Sequence, residues 1–440
     1  MAMRKRWEVE YPNAAGVDVG ASMHYVAVGA DRAQESVRRF GVFTADLEAL
    51  ADWLSACAVD TVALESTGVY WIALFEVLER RGFQVFLVNT RAVKNVPGRK
   101  SDVLDCQWLQ QLMTYGLLRG AYRPQESVCV VRAVVRHRET LHQEQARQIQ
   151  RMQKALTQMN LQLAEVLSDV MGASGEAIIR AIVAGERDGA KLARLRHARV
   201  RADEASVVRA LTGHWREEHL FVLGQAVALY DAFARQIKAC DEKIEALLAR
   251  LACTQAKPEG KGKARTKSSP GFDLRTALYR WAGVDLTRIN ALDATTVLKV
   301  LAEIGPDFSR FPSVKHFCAW INLCPGTRIT GGKRISGRTK VAANRVKQAL
   351  KMAAMSLSHS RSALGAYYRR LCTRMDKAKA NTAAAHKLAR MIYFMVTRGE
   401  AFVDRGEAHY AQQYRQRSIA SLKRRAAALG LRLLETPQTA

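Results

Sequence analysis

The sequence lacks any apolar run that approaches the roughly 20 residues of a membrane-spanning helix. Its N-terminal stretch, MAMRKRWEVEYP, is basic and has no apolar core of the kind found in signal peptides. The eight cysteines are scattered, with no CxxC pair and no zinc-type spacing. We therefore expect a cytoplasmic protein with reduced core thiols, no structural zinc ion and no place in a membrane.

Acidic residues are scarce relative to basic ones. The chain has 68 Lys and Arg against 41 Asp and Glu, which gives a net charge of +27 and an isoelectric point near 10.1. An excess of this size favours a polyanionic partner, of which nucleic acid is the commonest. With 440 residues, 48% of them hydrophobic, the chain is long enough for two or three domains with a sizeable core.

The pattern of elements divides the chain into four parts. Residues 1–128 show three strand-like runs and then alternating helix and strand patterns, which predicts an α/β domain with a mixed sheet. Residues 129–254 carry apolar residues at three- and four-residue spacing, which predicts a long helical coiled-coil arm or a plain helical spacer. Residues 255–270 are rich in Lys, Gly, Pro and Ser and predict a flexible basic linker. Residues 271–440 read as mainly helical and basic, with a Gly-rich loop.

Four acidic residues of the first domain stand out by their positions. Asp18 interrupts the first apolar strand and Glu65 ends the fourth strand-like run, while Asp102 and Asp105 share one face of a helix. A charge within an apolar strand costs several kcal/mol unless it is paired or bound to a metal. If the strands lie side by side as in an RNase H-type sheet, the four carboxylates converge and suit two Mg²⁺ ions for phosphoryl transfer. Taken alone, Asp102 and Asp105 are also explained as ordinary acids at a helix start.

Two sets of segments resemble a known family. GVDVG, ALESTGVYW and GRKSDVLDCQWL resemble the DEDD domain of transposases of the insertion-sequence 110 family, and residues 301–354 resemble their C-terminal transposase domain. The resemblance implies an N-terminal RuvC-like (RNase H-like) mixed-sheet domain, a coiled-coil arm and a helical C-terminal domain. It also implies site-specific recombination of donor and target DNA, guided by a structured RNA called the bridge RNA. The expected assembly is a dimer that forms a tetramer on two DNAs.

The same resemblance implies a nucleophilic serine in the Gly-rich loop, which attacks the DNA phosphate and forms a covalent intermediate. Counted from the proline of LCPG, the family's serine position falls on Thr330, whereas the nearest serine is Ser336. Position favours Thr330. Chemistry favours Ser336, because the threonine methyl group crowds the attack, and the sequence leaves both residues open.

Basic residues flank both groups of candidates and suit contacts to a phosphate backbone. We expect this role for Arg99, Lys100, Arg328, Lys333, Arg334, Arg338, Lys340 and Arg345. Two other functions remain open at this point. One is a RuvC-like Holliday-junction resolvase or nuclease that uses water as its nucleophile, and the other is a non-catalytic protein that binds nucleic acid through charge alone.

Overall fold

The chain folds into two compact units, residues 1–123 and residues 124–440. The computed structural model describes residues 8–65, 68–88, 102–339, 344–399 and 402–432. The division after Arg123 lies near the boundary expected at residue 128, and the further boundaries at residues 254 and 270 stay predictions.

The first unit is built on a mixed sheet. Its strands are β1 (Ala14–Val19), β2 (His24–Ala27), β3 (Val37–Phe40), β4 (Thr61–Glu65) and β5 (Gln84–Val88). Their order across the sheet is β3-β2-β1-β4-β5. The pairs β1–β2 and β2–β3 are antiparallel, whereas β4 runs parallel to both β1 and β5. This arrangement fits the RuvC-like mixed sheet expected from the sequence.

Helices cover both faces of this sheet. They are α1 (Thr44–Ala56), α2 (Trp71–Arg80) and α3 (Asp102–Thr114). On one face, α1 and α2 pack on Val17 and its neighbours at alternate strand positions. On the other face, Leu109 of α3 packs with Ala14 and Ala63. Because side chains alternate along a strand, Asp18 shares the α3 face with Ala14.

The second unit is mainly helical. Its helices are α4 (Glu126–Gln158), α5 (Leu163–Val166), α6 (Ala173–Val183), α7 (Gly189–Ala193), α8 (Glu204–Ala210), α9 (Glu217–Arg250), α10 (Leu274–Ala282), α11 (Ala294–Ile304), α12 (Val314–Trp320), α13 (Arg345–Met355), α14 (Ala363–Arg374), α15 (Lys377–Arg398) and α16 (Gly406–Ala428). A hairpin of β6 (Arg328–Thr330) and β7 (Lys333–Ser336) lies between α12 and α13 in the sequence. Within the described ranges, no helix is both long enough and apolar enough to cross a membrane.

The two long helices α4 and α9 pack against each other in antiparallel directions. Arg138 of α4 pairs with Asp241 of α9, whereas Gln145, later in α4, donates to the carbonyl of Tyr230, earlier in α9, at 3.4 Å. The Arg138–Asp241 ion pair is buried, and Arg138 also donates to the carbonyl of Ser268 at 2.9 Å. Such extra hydrogen bonds offset the cost of removing two charges from water. A projecting coiled-coil arm stays a prediction.

The chain between these helices folds into four short helices, α5 to α8, around an apolar core. Ile178 and Ile182 of α6 are buried in this core together with Met152 of α4 and Leu223 of α9. The sequence pattern assigned this stretch only helical character. Its burial pattern shows that it covers one end of the α4–α9 pair.

The segment 255–270 contains no helix or strand, yet polar contacts fix it to its neighbours. Lys263 donates to the carbonyls of Ile289 and Leu292 at 2.8 and 2.7 Å. Arg275 donates to two carbonyls of the segment, both at 2.7 Å. These contacts restrain a segment whose composition predicts flexibility.

An aromatic cluster holds together the helices that follow this segment. Phe317 of α12 is fully buried, with ring centroids 5.0 Å from Phe308 and 5.3 Å from Phe311. Tyr393 of α15 stacks on Phe317 and donates its hydroxyl to the carbonyl of Phe311 at 2.9 Å. The cluster therefore fixes α12, the helix that leads into the β6–β7 hairpin.

The cysteines, all in the described part of the chain, are free thiols. The buried ones are Cys57, Cys106, Cys240 and Cys318. Burial raises the pKa of the Cys318 thiol to about 12, so this thiol stays protonated at neutral pH. The buried four are core thiols, as the sequence predicts, whereas Cys253 is exposed and the other three are partly buried.

Candidate active site

Asp18 and Glu65 lie side by side on the α3 face of the sheet. The parallel register pairs Val17 with Leu64, so the next residue along each strand is one of the two acids. Their side chains are hydrogen-bonded to each other. A hydrogen bond between two carboxyl groups requires that one of them carries a proton, so this contact forms only while the pair holds a proton.

Helix α3 lies directly on β1 at Gly16. A Cβ atom at this position would overlap the carbonyl oxygen of Cys106 and the backbone nitrogen of Gln110. Glycine permits this close approach of helix to strand because it has no side chain. The contact holds the first turn of α3, which carries Asp102 and Asp105, over the sheet.

The four predicted acids interact electrostatically. The pKa of Asp18 is raised from 3.8 to about 7, first by burial and then by the negative charges of Glu65, Asp102 and Asp105. Burial, and then the charge of Asp18, raise the pKa of the Cys106 thiol to about 12. The structure therefore brings the other three acids within electrostatic range of Asp18 near the end of β1.

The donor set suits a divalent cation by its chemistry, since Mg²⁺ prefers carboxylate oxygens. A cation would replace the proton shared by Asp18 and Glu65 and relieve the repulsion that raises the Asp18 pKa. Among the described residues, no three acidic, histidine or cysteine side chains stand close enough to coordinate one ion. The residues thus fit Mg²⁺ by their charge and atom type, although the four groups are not gathered to coordinating distance.

Asp18→Asn is expected to stabilise the metal-free protein at neutral and alkaline pH. The raised pKa of Asp18 means that the folded chain binds this proton more tightly than the unfolded chain, where the pKa is near 3.8. Wild-type stability therefore falls as the pH rises from about 4 to about 7, and the asparagine variant escapes this loss. At ~1.4 kcal/mol per pKa unit, discounted because Asp18 is only partly buried, the gain at about pH 8 is roughly 2 kcal/mol.

Urea unfolding in the presence of EDTA at about pH 4 and about pH 8 measures this gain. The difference between variant and wild type should vanish at the lower pH. Asp31→Asn, at an exposed turn of the same unit, is the control and should change stability little at either pH. A loss of stability at about pH 8 in Asp18→Asn would contradict mutual repulsion among the acids.

Thr330 lies at the tip of the β6–β7 hairpin in the second unit. The hairpin turn consists of Gly331 and Gly332, whose φ angles of +55° and +75° are those that a tight two-residue turn requires. Thr330 is exposed and pairs with Lys333 across the turn. Its hydroxyl therefore lies in the most open part of the hairpin.

Ser336 lies at the base of the same hairpin, opposite Arg328. Its Oγ accepts a hydrogen bond from the backbone N–H of Arg338 at 3.3 Å. The guanidinium group of Arg334 covers the adjacent Gly337, where a Cβ atom would overlap it. The serine hydroxyl thus has a backbone donor, which the hydroxyl at the tip lacks among the described contacts, and the guanidinium of Arg334 lies over the next residue.

The predicted phosphate-binding residues fall into three groups. Exposed on the hairpin or just after it are Lys333, Arg334 and Arg338. Arg345, in contrast, forms ion pairs with Glu139 at 2.6 Å and Glu303 at 4.0 Å. Outside the described residues lie Arg99, Lys100, Lys340 and the side chain of Arg328. A phosphate contact by Arg345 would have to compete with two carboxylates.

Sequence reasoning missed the role of Gly16, which it treated only as part of the first strand motif. A glycine two residues before the strand acid lies on the same face as that acid. Glycine within a strand is a recognised signal of close backbone approach, so the pattern GVD already contained the necessary information.

The comparisons with known proteins agree with this geometry. Residues 15–161, which include all four acids, match a family model of the DEDD transposase domain of IS110 elements, described as a transposase. Residues 284–369, which include the hairpin, match the model of the transposase IS116/IS110/IS902 family. No curated protein matches the chain. With one match covering the acids of the first unit and another covering the hairpin of the second, the chain is similar in both units to transposases of the IS110 group.

Proposed function

We propose that this protein is an RNA-guided DNA transposase that cleaves and rejoins strands through a covalent protein–DNA intermediate. The observation that carries the proposal is that Asp18 and Glu65 lie side by side on the α3 face of the sheet and feel the charges of Asp102 and Asp105 in the first turn of α3. Phosphoryl transfer needs a site where negative charge is gathered to hold cations near the phosphate. Four acids from three separate chain segments would otherwise be a net cost to folding.

The acids supply the cation site in this proposal. Asp18, Glu65, Asp102 and Asp105 would hold Mg²⁺ as two ions, and the metal would polarise the phosphate and stabilise the leaving oxygen. As metal ligands, Asp18 and Glu65 would both be ionised, and the proton of their hydrogen bond would pass to solvent. Glu65 is 9% exposed, so its position at the end of β4 is well fixed by the surrounding protein.

A hydroxyl of the hairpin supplies the nucleophile. The Oγ of Ser336 forms a bond to phosphorus while the bond from phosphorus to the leaving oxygen breaks, and the serine proton passes to that oxygen. The N–H of Arg338 favours Ser336, because a hydrogen bond donated to Oγ stabilises the negative charge that develops there as its proton leaves. The guanidinium of Arg334, over the adjacent Gly337, would supply positive charge near the phosphate. Thr330 remains the alternative nucleophile, because its position in the loop corresponds to the family's serine.

The partners in this proposal are donor DNA, target DNA and a structured guide RNA. The net charge of +27 supports the binding of several polyanions. Base pairing to the guide would choose the sequence. Assembly of dimers into a tetramer and a cytoplasmic location belong to the proposal and rest on the resemblance to the family.

The test is to trap the intermediate. The full chain, purified with its co-purifying RNA, is incubated with a supercoiled plasmid that carries its own gene and native flanking DNA. With Mg²⁺, labelled DNA fragments should migrate with the denatured protein, and EDTA or prior ribonuclease treatment should abolish this species. Cleavage without the adduct would show a nuclease that uses water, and binding without cleavage would show a non-catalytic protein. Either result overturns the proposal.

A further inference from the structure

A row of four side chains crosses the α3 face of the sheet, and it contains only two of the acids. The β1–β2 register sets Asp18 opposite Tyr25, and the β2–β3 register sets Tyr25 opposite Arg39. On the other side, Glu65 follows the residue that pairs with Val17. Paired residues of neighbouring strands point to the same face. The order across the face is therefore Arg39, Tyr25, Asp18 and Glu65.

The spacing of this row matches a nucleic-acid strand. Adjacent strands lie about 4.8 Å apart, so the Arg39 backbone is roughly 10 Å from that of Asp18. A polynucleotide that rises ~3.4 Å per nucleotide covers this distance in two or three nucleotides. A strand whose scissile phosphate lies at the acids would thus pass Tyr25 and bring a later phosphate near Arg39.

Arg39 differs from its neighbour Arg38 in what it contacts. Arg38 points to the opposite face, where it pairs with Glu35 at 3.5 Å and lies over the ring of Trp53, 5.4 Å from its centroid. Arg39 is exposed and forms no ion pair with another described residue. The two arginines are adjacent on the same strand, yet only Arg38 has such structural partners within the described ranges.

We propose that Tyr25 and Arg39 extend the acid site into a binding strip for the DNA strand that is cleaved. Arg39 contacts a backbone phosphate two or three nucleotides from the scissile one, as guanidinium groups do in DNA complexes. Tyr25, half-buried beside Asp18, packs its ring against the nucleotide between them. This inference rests on the proposed function, and it deepens that function by naming residues that orient the substrate strand.

The strip acts on binding and leaves the chemical step unchanged. A phosphate remote from the reacting atoms keeps its charge in the transition state, so the contact stabilises the bound substrate and the transition state equally. Loss of such a contact raises KM and leaves kcat unchanged.

The experiment uses a fluorescent duplex oligonucleotide that spans the junction cleaved in the plasmid assay. Arg39→Ala is expected to raise KM about fivefold with kcat changed less than about twofold. The slope of log affinity against log salt for this duplex should fall by about 0.9. Arg39→Lys should restore most of both losses, and Tyr25→Ala, but not Tyr25→Phe, should raise KM by about fivefold or more.

Arg38→Ala is the matched control, because it removes the same side chain one residue away on the opposite face. It should leave KM, kcat and the salt slope as in the wild type. Equal effects of Arg39→Ala and Arg38→Ala would overturn the strip. So would an Arg39 variant that weakens binding of the co-purified RNA while KM for DNA is unchanged. Circular dichroism melting and a second variant, Arg39→Gln, separate these results from misfolding.

An acid variant distinguishes failure of the strip from failure of the proposed function. If Asp102→Asn with Asp105→Asn abolishes cleavage while the Arg39 variants match the control, the function stands and the strip is wrong. If the acid variant cleaves normally, the proposed function itself is wrong and the strip falls with it.

Discussion

Changing Asp102 and Asp105 together to asparagine is expected to lower DNA cleavage by about 1,000-fold or more while nucleic-acid binding is retained. The two acids act on Asp18 through their charge and stand in the first turn of α3. Asparagine keeps the shape of the side chain and its ability to favour a helix start, but it removes the anionic ligand. Loss of several kcal/mol of cation-dependent stabilisation corresponds to this factor in rate.

A matched control is Glu217→Gln with Glu218→Gln. These exposed acids also stand in the first turn of a helix, α9, so the variant makes the same change in net charge at a site with no proposed chemistry. Filter binding of labelled plasmid DNA measures affinity, and gel analysis of plasmid nicking measures cleavage. Equal cleavage by the two double variants would exclude a catalytic role for the α3 acids. Lost binding in the α3 variant alone would make their role structural.

Ser336→Ala is expected to abolish the covalent adduct, a loss of at least about 1,000-fold, as happens when a catalytic nucleophile is removed. Thr330→Ala should reduce it by less than about tenfold, the effect of a changed contact at the hairpin tip. The difference follows from the neighbours of each hydroxyl. Ser336 has the Arg338 N–H at 3.3 Å and the Arg334 guanidinium over the next residue, whereas Thr330 is exposed beside a glycine turn.

Peptide mapping of the trapped adduct by mass spectrometry identifies the attacking residue directly. A nucleotide mass on the peptide that contains Ser336 agrees with the prediction. The same mass on Thr330, together with an intact adduct in Ser336→Ala, would assign the nucleophile to the hairpin tip. Ser336→Thr is a useful companion variant, because it keeps a hydroxyl at the base and tests whether the extra methyl group slows attack.

The sequence predicted the parts of the first unit that depend on local pattern. Alternating apolar residues locate the strands, and Asp18 is conspicuous because a charge in an apolar strand needs a partner. Placing Glu65 beside Asp18 required the strand order, which came from resemblance to a known fold. Tyr25 and Arg39 were not found, because their place in the row depends on strand register, and register is set by contacts between distant segments.

The second unit shows a different limit of sequence analysis. Lys263 lies in a stretch whose composition predicts flexibility, yet its ammonium group donates hydrogen bonds to the carbonyls of Ile289 and Leu292. Arg345 was predicted to contact phosphate from its place near a basic loop, and the structure gives it Glu139 and Glu303 as partners. Composition reports the charge of a side chain, whereas its partner depends on the tertiary fold.

The contact of α3 with Gly16 makes the geometry of the four acids sensitive to substitution of this glycine. The distance from Asp18 and Glu65 to Asp102 and Asp105 depends on direct contact between the backbones of β1 and α3. No side chain lies between these backbones that could adjust by changing its rotamer. Even the smallest replacement, an added methyl group, would lift the helix and move Asp102 and Asp105 together. The width of the proposed cation site is therefore controlled by Gly16, which contributes no ligand atom to it. We expect this position to tolerate substitution less well than most of the side chains around it.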